Sequence, residues 1–186
     1  IQSKTDHTID SLNEPWSCNN DNEETTKNRL FKEIEIVKDG IGTFTVAYTC
    51  DNRVFYGIQD EQARVNINYV SKDVIKNLID SVAALNPTMT VGNSGDIAAH
   101  IKDWIDPDKN GQHDDYSGEG YPRKGAIFDS VDELLLVKGV DQSLLDNIRD
   151  YITVYADGKI NVNTVPLPVL EALGVSPENA RTIIAE

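Results

Sequence analysis

A chain of 186 residues with 39% hydrophobic and 26% charged side chains is long enough for one or two folded domains with a real core. Its 31 acidic residues against 17 basic give a net charge of −14, which argues against a nucleic-acid or anionic-membrane binder, since phosphate contact needs clustered Lys and Arg. No apolar run approaches the roughly 20 residues that span a bilayer.

The first thirty residues are polar and are expected to be loosely ordered. Strand character follows: Ile34 and Ile36 alternate with charged residues, Phe44, Val46 and Tyr48 alternate with small ones, and Asp39-Gly40 between them suits a hairpin turn. The pattern continues through RVFYGIQDEQARVNIN to about Asn68. The period then changes to 3.6. Val74, Ile75, Leu78, Ile79, Val82 and Leu85 share one helical face behind Ser71 as N-cap, and Ile97, Ile101, Trp104 and Ile105 share the inward face of a second helix. SVDELLLVKGVDQSLLDNI reads as two short helices, the first opened by a capping box of Ser130 and Glu133 and ended by Gly139, the second capped by Asp141. YITVYADGKINVN returns to strand with an Asp-Gly turn, and the tail opens another helix pair around Gly174. Runs of strands followed by runs of helices favour an α+β fold. The expected organisation is a sheet domain over 1–68, an inserted helical domain over 69–150, return strands over 151–163 and a helical segment over 164–186.

Between the second helix and a Gly- and Pro-bearing stretch lies DPDKNGQHDD, Asp106 to Asp115. Oxygen-bearing side chains at alternating positions around one glycine fit the opening of an EF-hand-like loop. Asp106, Asp108 and Asn110 take its first, third and fifth positions, Gly111 the sharp turn, Gln112 a backbone carbonyl, and Asp114 the ninth position. Calcium accepts such a mixture of carboxylate, amide and carbonyl oxygens, whereas magnesium prefers water and few protein ligands. The twelfth position holds Ser117 rather than Glu, so Glu119 is the candidate for the missing ligand. The expectation is a structural calcium ion rather than a solvated acidic turn.

Signs of catalysis are sparse. His7, His100 and His113 are scattered, and no HExxH, GxSxG or phosphate-binding loop occurs. The helix–Gly–helix segments resemble DNA-contacting helix hairpins, but Gly174 has no basic neighbours and Gly139 is followed by Val140 and Asp141, so they are read as compact helix pairs. Cys18 and Cys50 leave two readings open: separate buried thiols, or one disulfide tying the N-terminal segment to the first sheet, which an envelope or extracellular compartment permits. The reading taken forward is the disulfide, with Cα atoms about 4.4–6.8 Å apart. One internal echo stands out. RVNINYVSKDVI, from Arg64 to Ile75, matches KINVNTVPLPVL, from Lys159 to Leu170, position by position. Both are strand-to-helix junctions whose Asn residues are expected to bond the turn backbone. The echo is read as reused junction chemistry rather than paired ligand sites, because no His or Cys accompanies the Asn pairs.

DSLNEPWS (10–17), QDEQARVNIN (59–68), DWIDPD (103–108), FDSVDELLLVKGVD (128–141) and VYADGKINVNT (154–164) occur in this order. Together they make the chain similar to the K-type minor pseudopilins of type II secretion systems, over most of its length. The resemblance implies a pilin-like domain with an antiparallel sheet and a large inserted helical domain. It implies a non-enzymatic tip subunit of a periplasmic pseudopilus, assembling with the I-type and J-type minor pseudopilins, in a family where calcium binding is found. It also implies an N-terminal apolar helix, cut by a prepilin peptidase, that anchors the full-length protein in the inner membrane. The chain begins at Ile1 without such a helix, so a soluble periplasmic portion is expected. Two other classes stay open: a calcium-stabilised secreted binding module of adhesin type, and a hydrolase using paired carboxylates.

Overall fold

The computed structural model describes residues 31, 33–35, 42–50, 53–108, 120–155 and 157–185. The chain divides into two compact units, one of residues 1–60 with 161–164, the other of residues 61–160 with 165–186.

Among its described residues the first unit carries two short antiparallel pairings. β1 (Ile34–Glu35) pairs with β2 (Thr43–Phe44), Ile34 opposite Phe44, as the alternation around Asp39-Gly40 predicts. β3 (Ala47–Cys50) pairs with β4 (Arg53–Tyr56) over four residues.

The second unit holds the helical core. A third pairing, β5 (Val65–Asn66) with β6 (Ile152–Thr153), is parallel. The strand character expected up to Asn163 is therefore realised in a two-residue parallel contact. Among the described residues the strands form three separate two-stranded pairings rather than one antiparallel sheet. β5 and β6 are buried in the helical core, since Val65 and Ile152 both belong to it.

The helices follow their sequence signals closely. Helix α1 (Lys72–Leu85) starts where the Ser71 hydroxyl accepts the Val74 amide at 3.4 Å, satisfying one of the orphan N–H groups of a first turn. Its buried stripe includes Ile75, Leu78, Ile79 and Val82, but Leu85, the last residue of the helix, is exposed. Helix α2 (Ser94–Ile105) is capped by Asn93, whose side-chain oxygen accepts the Gly95 amide at 2.9 Å, and it buries Ile97, Ile101 and Trp104. A 3₁₀ helix over Val131–Leu136 precedes α3 (Gln142–Ile148), whose first turn is held by Asp141 accepting the Leu144 amide at 2.7 Å. Gly139 joins them at φ +87°, and a Cβ there would stand 3.2 Å from Ile97 Cγ1, so the left-handed turn and the close approach to α2 both require glycine. Helices α4 (Leu167–Ala172) and α5 (Pro177–Ala185) close the chain, with Val169 and Leu170 in the core and Ala180 fully buried.

The expected capping box takes a different form. Ser130 makes no side-chain cap, and the Glu133 carboxylate instead accepts the backbone amide of Asp129 at 3.0 Å. The reason is tertiary: that carboxylate is already held in place by two partners from elsewhere in the fold.

The candidate metal loop and the latch beneath it

The loop opens where α2 ends. Asp106 is the C-cap, its amide bonded back to the carbonyls of Lys102 and Asp103, and its carboxylate Oδ1 accepts the Asp108 amide at 2.9 Å. The Asp-Pro-Asp sequence favours this, since Pro107 cannot continue a helix and Asp readily forms such side-chain turns. Asp106 and Asp108 are thus placed at the mouth of the loop. Asn110, Gln112, Asp114 and Glu119 lie outside the described residues, as do Cys18 and the side chain of Cys50. Among the described residues no three His, Cys, Asp or Glu side chains come together as a metal cluster.

The sequence reading missed one acid here. Asp103 stands three residues before Asp106 on the last turn of α2, and its Oδ2 is buried without a hydrogen-bond partner among the described residues. A buried carboxylate oxygen left unpaired costs several kcal/mol in order of magnitude unless a cation or donor meets it. A hard carboxylate oxygen of this kind is the donor chemistry calcium takes. Asp103 thereby joins Asp106 and Asp108 as a described carboxylate that could serve the expected ion.

The chain returning from the loop is fastened to α2 through several contacts. Arg123 donates to the carbonyl of Asp103 at 3.0 Å and also to that of Asp108. The Gly125 amide donates to the Trp104 carbonyl at 2.8 Å. Gly125 has φ +64°, and a Cβ there would lie 3.4 Å from the Asp106 carbonyl oxygen, so glycine lets the returning segment run against the loop mouth. Tyr121 meets Trp104 edge to face at 6.1 Å and donates its hydroxyl to the Leu136 carbonyl at 2.8 Å. Beneath them Trp104 Nε1 donates to Glu133 Oε1 at 2.9 Å, and Lys124 Nζ reaches Glu133 Oε2 at 2.9 Å and Asp129 at 2.7 Å. His100 Nδ1 lies 3.0 Å from the Lys138 carbonyl oxygen.

Burial pushes the Glu133 carboxyl up, but hydrogen bonds from Trp104, Lys124 and the Asp129 amide, with the Lys124 charge, outweigh it and hold it below the ordinary carboxyl range. A carboxyl held down on folding stabilises the protein above its unfolded value and loses that contribution as pH falls through the folded one. Lys124 is held above its ordinary range because hydrogen bonds to Asp129 and Glu133 and their charges outweigh its desolvation. Its share is present below the ordinary lysine value and is lost as pH rises through the raised one. Glu133→Gln is therefore expected to flatten the acid limb of stability between about pH 6 and pH 3, by on the order of 1 kcal/mol for this partly exposed pair. Thermal unfolding across that range, with chelator in both samples so that loop carboxylates contribute alike, measures it. Parallel acid limbs in the two proteins would show that the latch carries no such charge.

With this geometry in hand, known proteins give three findings. A family model described as type II secretion system (T2SS), protein K, matches residues 63–157, about half of the chain and most of the helical unit. No curated protein matches. Among solved structures, the chain is similar to a chain of the crystal structure of the GspK-GspI-GspJ complex from the enterotoxigenic Escherichia coli type 2 secretion system, with a TM-score of 0.57 and 15% identity over 95% of its own length. It spans 61% of the length of that chain. The likeness is one of fold, and the mixed helix-and-sheet architecture agrees with the α+β expectation.

Proposed function

Because this chain belongs to the type II secretion system protein K family, we propose that it is a K-type minor pseudopilin that works at the tip of the pseudopilus. It is an assembly subunit rather than an enzyme. In this reading it joins the I-type and J-type minor pseudopilins to start and cap the filament, and so serves protein secretion. The first unit is the pilin-like portion, and the helical unit, too bulky to stack another subunit above it, forms the cap. The protein lies in the periplasm, anchored in the inner membrane by an apolar N-terminal helix of the full-length form. Among the described residues no helix is long and apolar enough to cross a membrane.

The observation that carries this reading is the family match across β5 to β6, the segment that contains α1, α2, the acidic loop and the Trp104–Glu133–Lys124 latch. The likeness in fold to a chain of a complex whose three named members are GspK, GspI and GspJ supports the choice of partners. In the same proposal Asp106, Asp108, Asn110, Gln112 and Asp114, with Asp103 and Glu119 as further oxygens, hold a structural calcium ion. The ion would offset the repulsion of clustered carboxylates and so hold one edge of the helical unit rigid.

Size-exclusion chromatography of the chain mixed with the I-type and J-type proteins of the same secretion system tests the assignment. Co-elution of all three as one species is expected. Three separate peaks from folded proteins at micromolar concentration would remove the assembly role.

A further inference from the structure

The repeated junctions fold alike but end differently. In the first, Asn66 Oδ1 accepts the Asn68 amide at 3.0 Å, and the Tyr69 amide returns to the Asn66 carbonyl at 3.1 Å. In the second, Asn161 Oδ1 accepts the Asn163 amide at 3.1 Å, and the Thr164 amide returns to the Asn161 carbonyl at 3.2 Å. Helices begin at matching positions, Lys72 and Leu167. The second Asn of the first junction then does something specific. Asn68 donates from Nδ2 to the Phe128 carbonyl at 3.2 Å and accepts the Phe128 amide on Oδ1 at 2.8 Å. A primary amide has one donor face and one acceptor face, so it pairs with both backbone groups of a single residue as a neighbouring strand would. Ile67 and Phe128, each 2% exposed, enter one core beside that clamp.

At the second junction the same two side chains face outward. Val162, the counterpart of Ile67, is 60% exposed. Asn163, the counterpart of Asn68, is exposed, and among the described residues its amide nitrogen donates to Asn161 Oδ1 alone, at 3.3 Å. The turn that presents them is nonetheless fixed, because Asn161 Nδ2 and Thr164 Oγ1 both donate to Asp60 Oδ2, at 2.9 and 2.7 Å. A turn already fixed lowers the ordering cost of pairing with it, and covering an exposed valine removes apolar surface from water.

We propose that Asn163 and Val162 form a docking point for an extended segment of another polypeptide. The segment presents one large apolar side chain to Val162 and the N–H and C=O of that same residue to the Asn163 amide. The occupant's chemistry is copied from the chain's own Phe128 segment: main-chain pairing gives attachment and the apolar side chain gives selection, as in strand-addition recognition. The inference is independent of the family's assembly role, because it rests on the two junctions alone.

A capped peptide with the sequence of residues 124–130, KGAIFDS, serves as probe, titrated into the isotope-labelled chain and followed by NMR. Saturable shifts centred on the Val162 methyls and the Asn163 side-chain amide are expected. They should be lost when the peptide's Phe is replaced by Ala. Asn163→Ala should weaken binding about tenfold, the scale of a lost hydrogen bond or two. The melting temperature should stay unchanged in Asn163→Ala and fall in Asn68→Ala, separating the open clamp from the occupied one. No shift at Val162 and Asn163 at millimolar peptide, or equal affinity for Asn163→Ala, would overturn the proposal. Shifts at the same residues that grow with protein concentration alone would overturn it too, placing a second copy of the chain there instead.

Discussion

Trp104→Ala is expected to be the most damaging single substitution near the loop. The indole is 3% exposed within the helical core, it supplies the N–H that Glu133 accepts at 2.9 Å, and its ring meets Tyr121. Truncation removes a large buried ring and leaves a cavity, which costs about 3–5 kcal/mol. It also strips one partner from a mostly buried carboxylate, whose side chain is 13% exposed. For a chain of this size the melting temperature should fall by on the order of 10 °C. Trp104→Phe separates the two causes. It keeps most of the ring volume and loses only the hydrogen bond, so about 1–2 kcal/mol is expected. Because the bond runs to Glu133, adding Glu133→Gln to Trp104→Phe should cost less than the sum of the two single changes. Additive costs would mean that Trp104 acts by packing alone, and a melting temperature within a degree of the parent for Trp104→Ala would sink the packing account as well.

What the sequence made legible follows interaction range. α1 and α2 could be read because burial repeats every 3.6 residues, and Ser71 and Asp141 because a cap bonds an amide three residues away. The same local rule misplaced the capping box. Glu133 bonds the Asp129 amide because Trp104, 29 residues distant, and Lys124, 9 residues distant, had already fixed its carboxylate. Strand length was overread for a related reason. Alternation in YITVYADGKINVN marks residues able to extend, but pairing needs a neighbour, and among the described residues β5 offers one to Ile152 and Thr153 alone. Asp103 was overlooked at the loop although its signal was present: DWIDPD puts an acid one helical turn before the first EF-hand position. The Asn-x-Asn echo was legible as junction chemistry, and both turns form as expected. Its asymmetry was not, because the occupant of the first clamp, Phe128, lies 60 residues away.

Chelation is expected to give the second large effect, and its outcome decides what the acidic loop is for. Asp106, Asp108, Asp114 and Asp115 crowd four carboxylates into ten residues, with Asp103 one turn earlier. Their mutual repulsion favours an open loop, and the segment contains little apolar surface to close it. A divalent ion bound only to the folded form adds RT ln(1 + [L]/Kd), about 2.7 kcal/mol at a hundred times Kd. Removing calcium should then lower the melting temperature by about 5–10 °C and expose the stretch 106–119 to proteolysis. Magnesium at the same concentration should restore little, since it dehydrates reluctantly and demands a smaller octahedral site. Asp106→Ala should abolish most of the calcium dependence. Asp103→Asn gives the finer test: it keeps the shape of a buried side chain whose Oδ2 has no partner among the described residues, and it removes the charge. If that oxygen faces the ion, the substitution weakens calcium binding severalfold. If it does not, relieving an unpaired buried charge raises the melting temperature equally with calcium and with chelator. A melting temperature and a cleavage pattern indifferent to calcium in the unmodified chain would reduce the acidic cluster to a solvated turn.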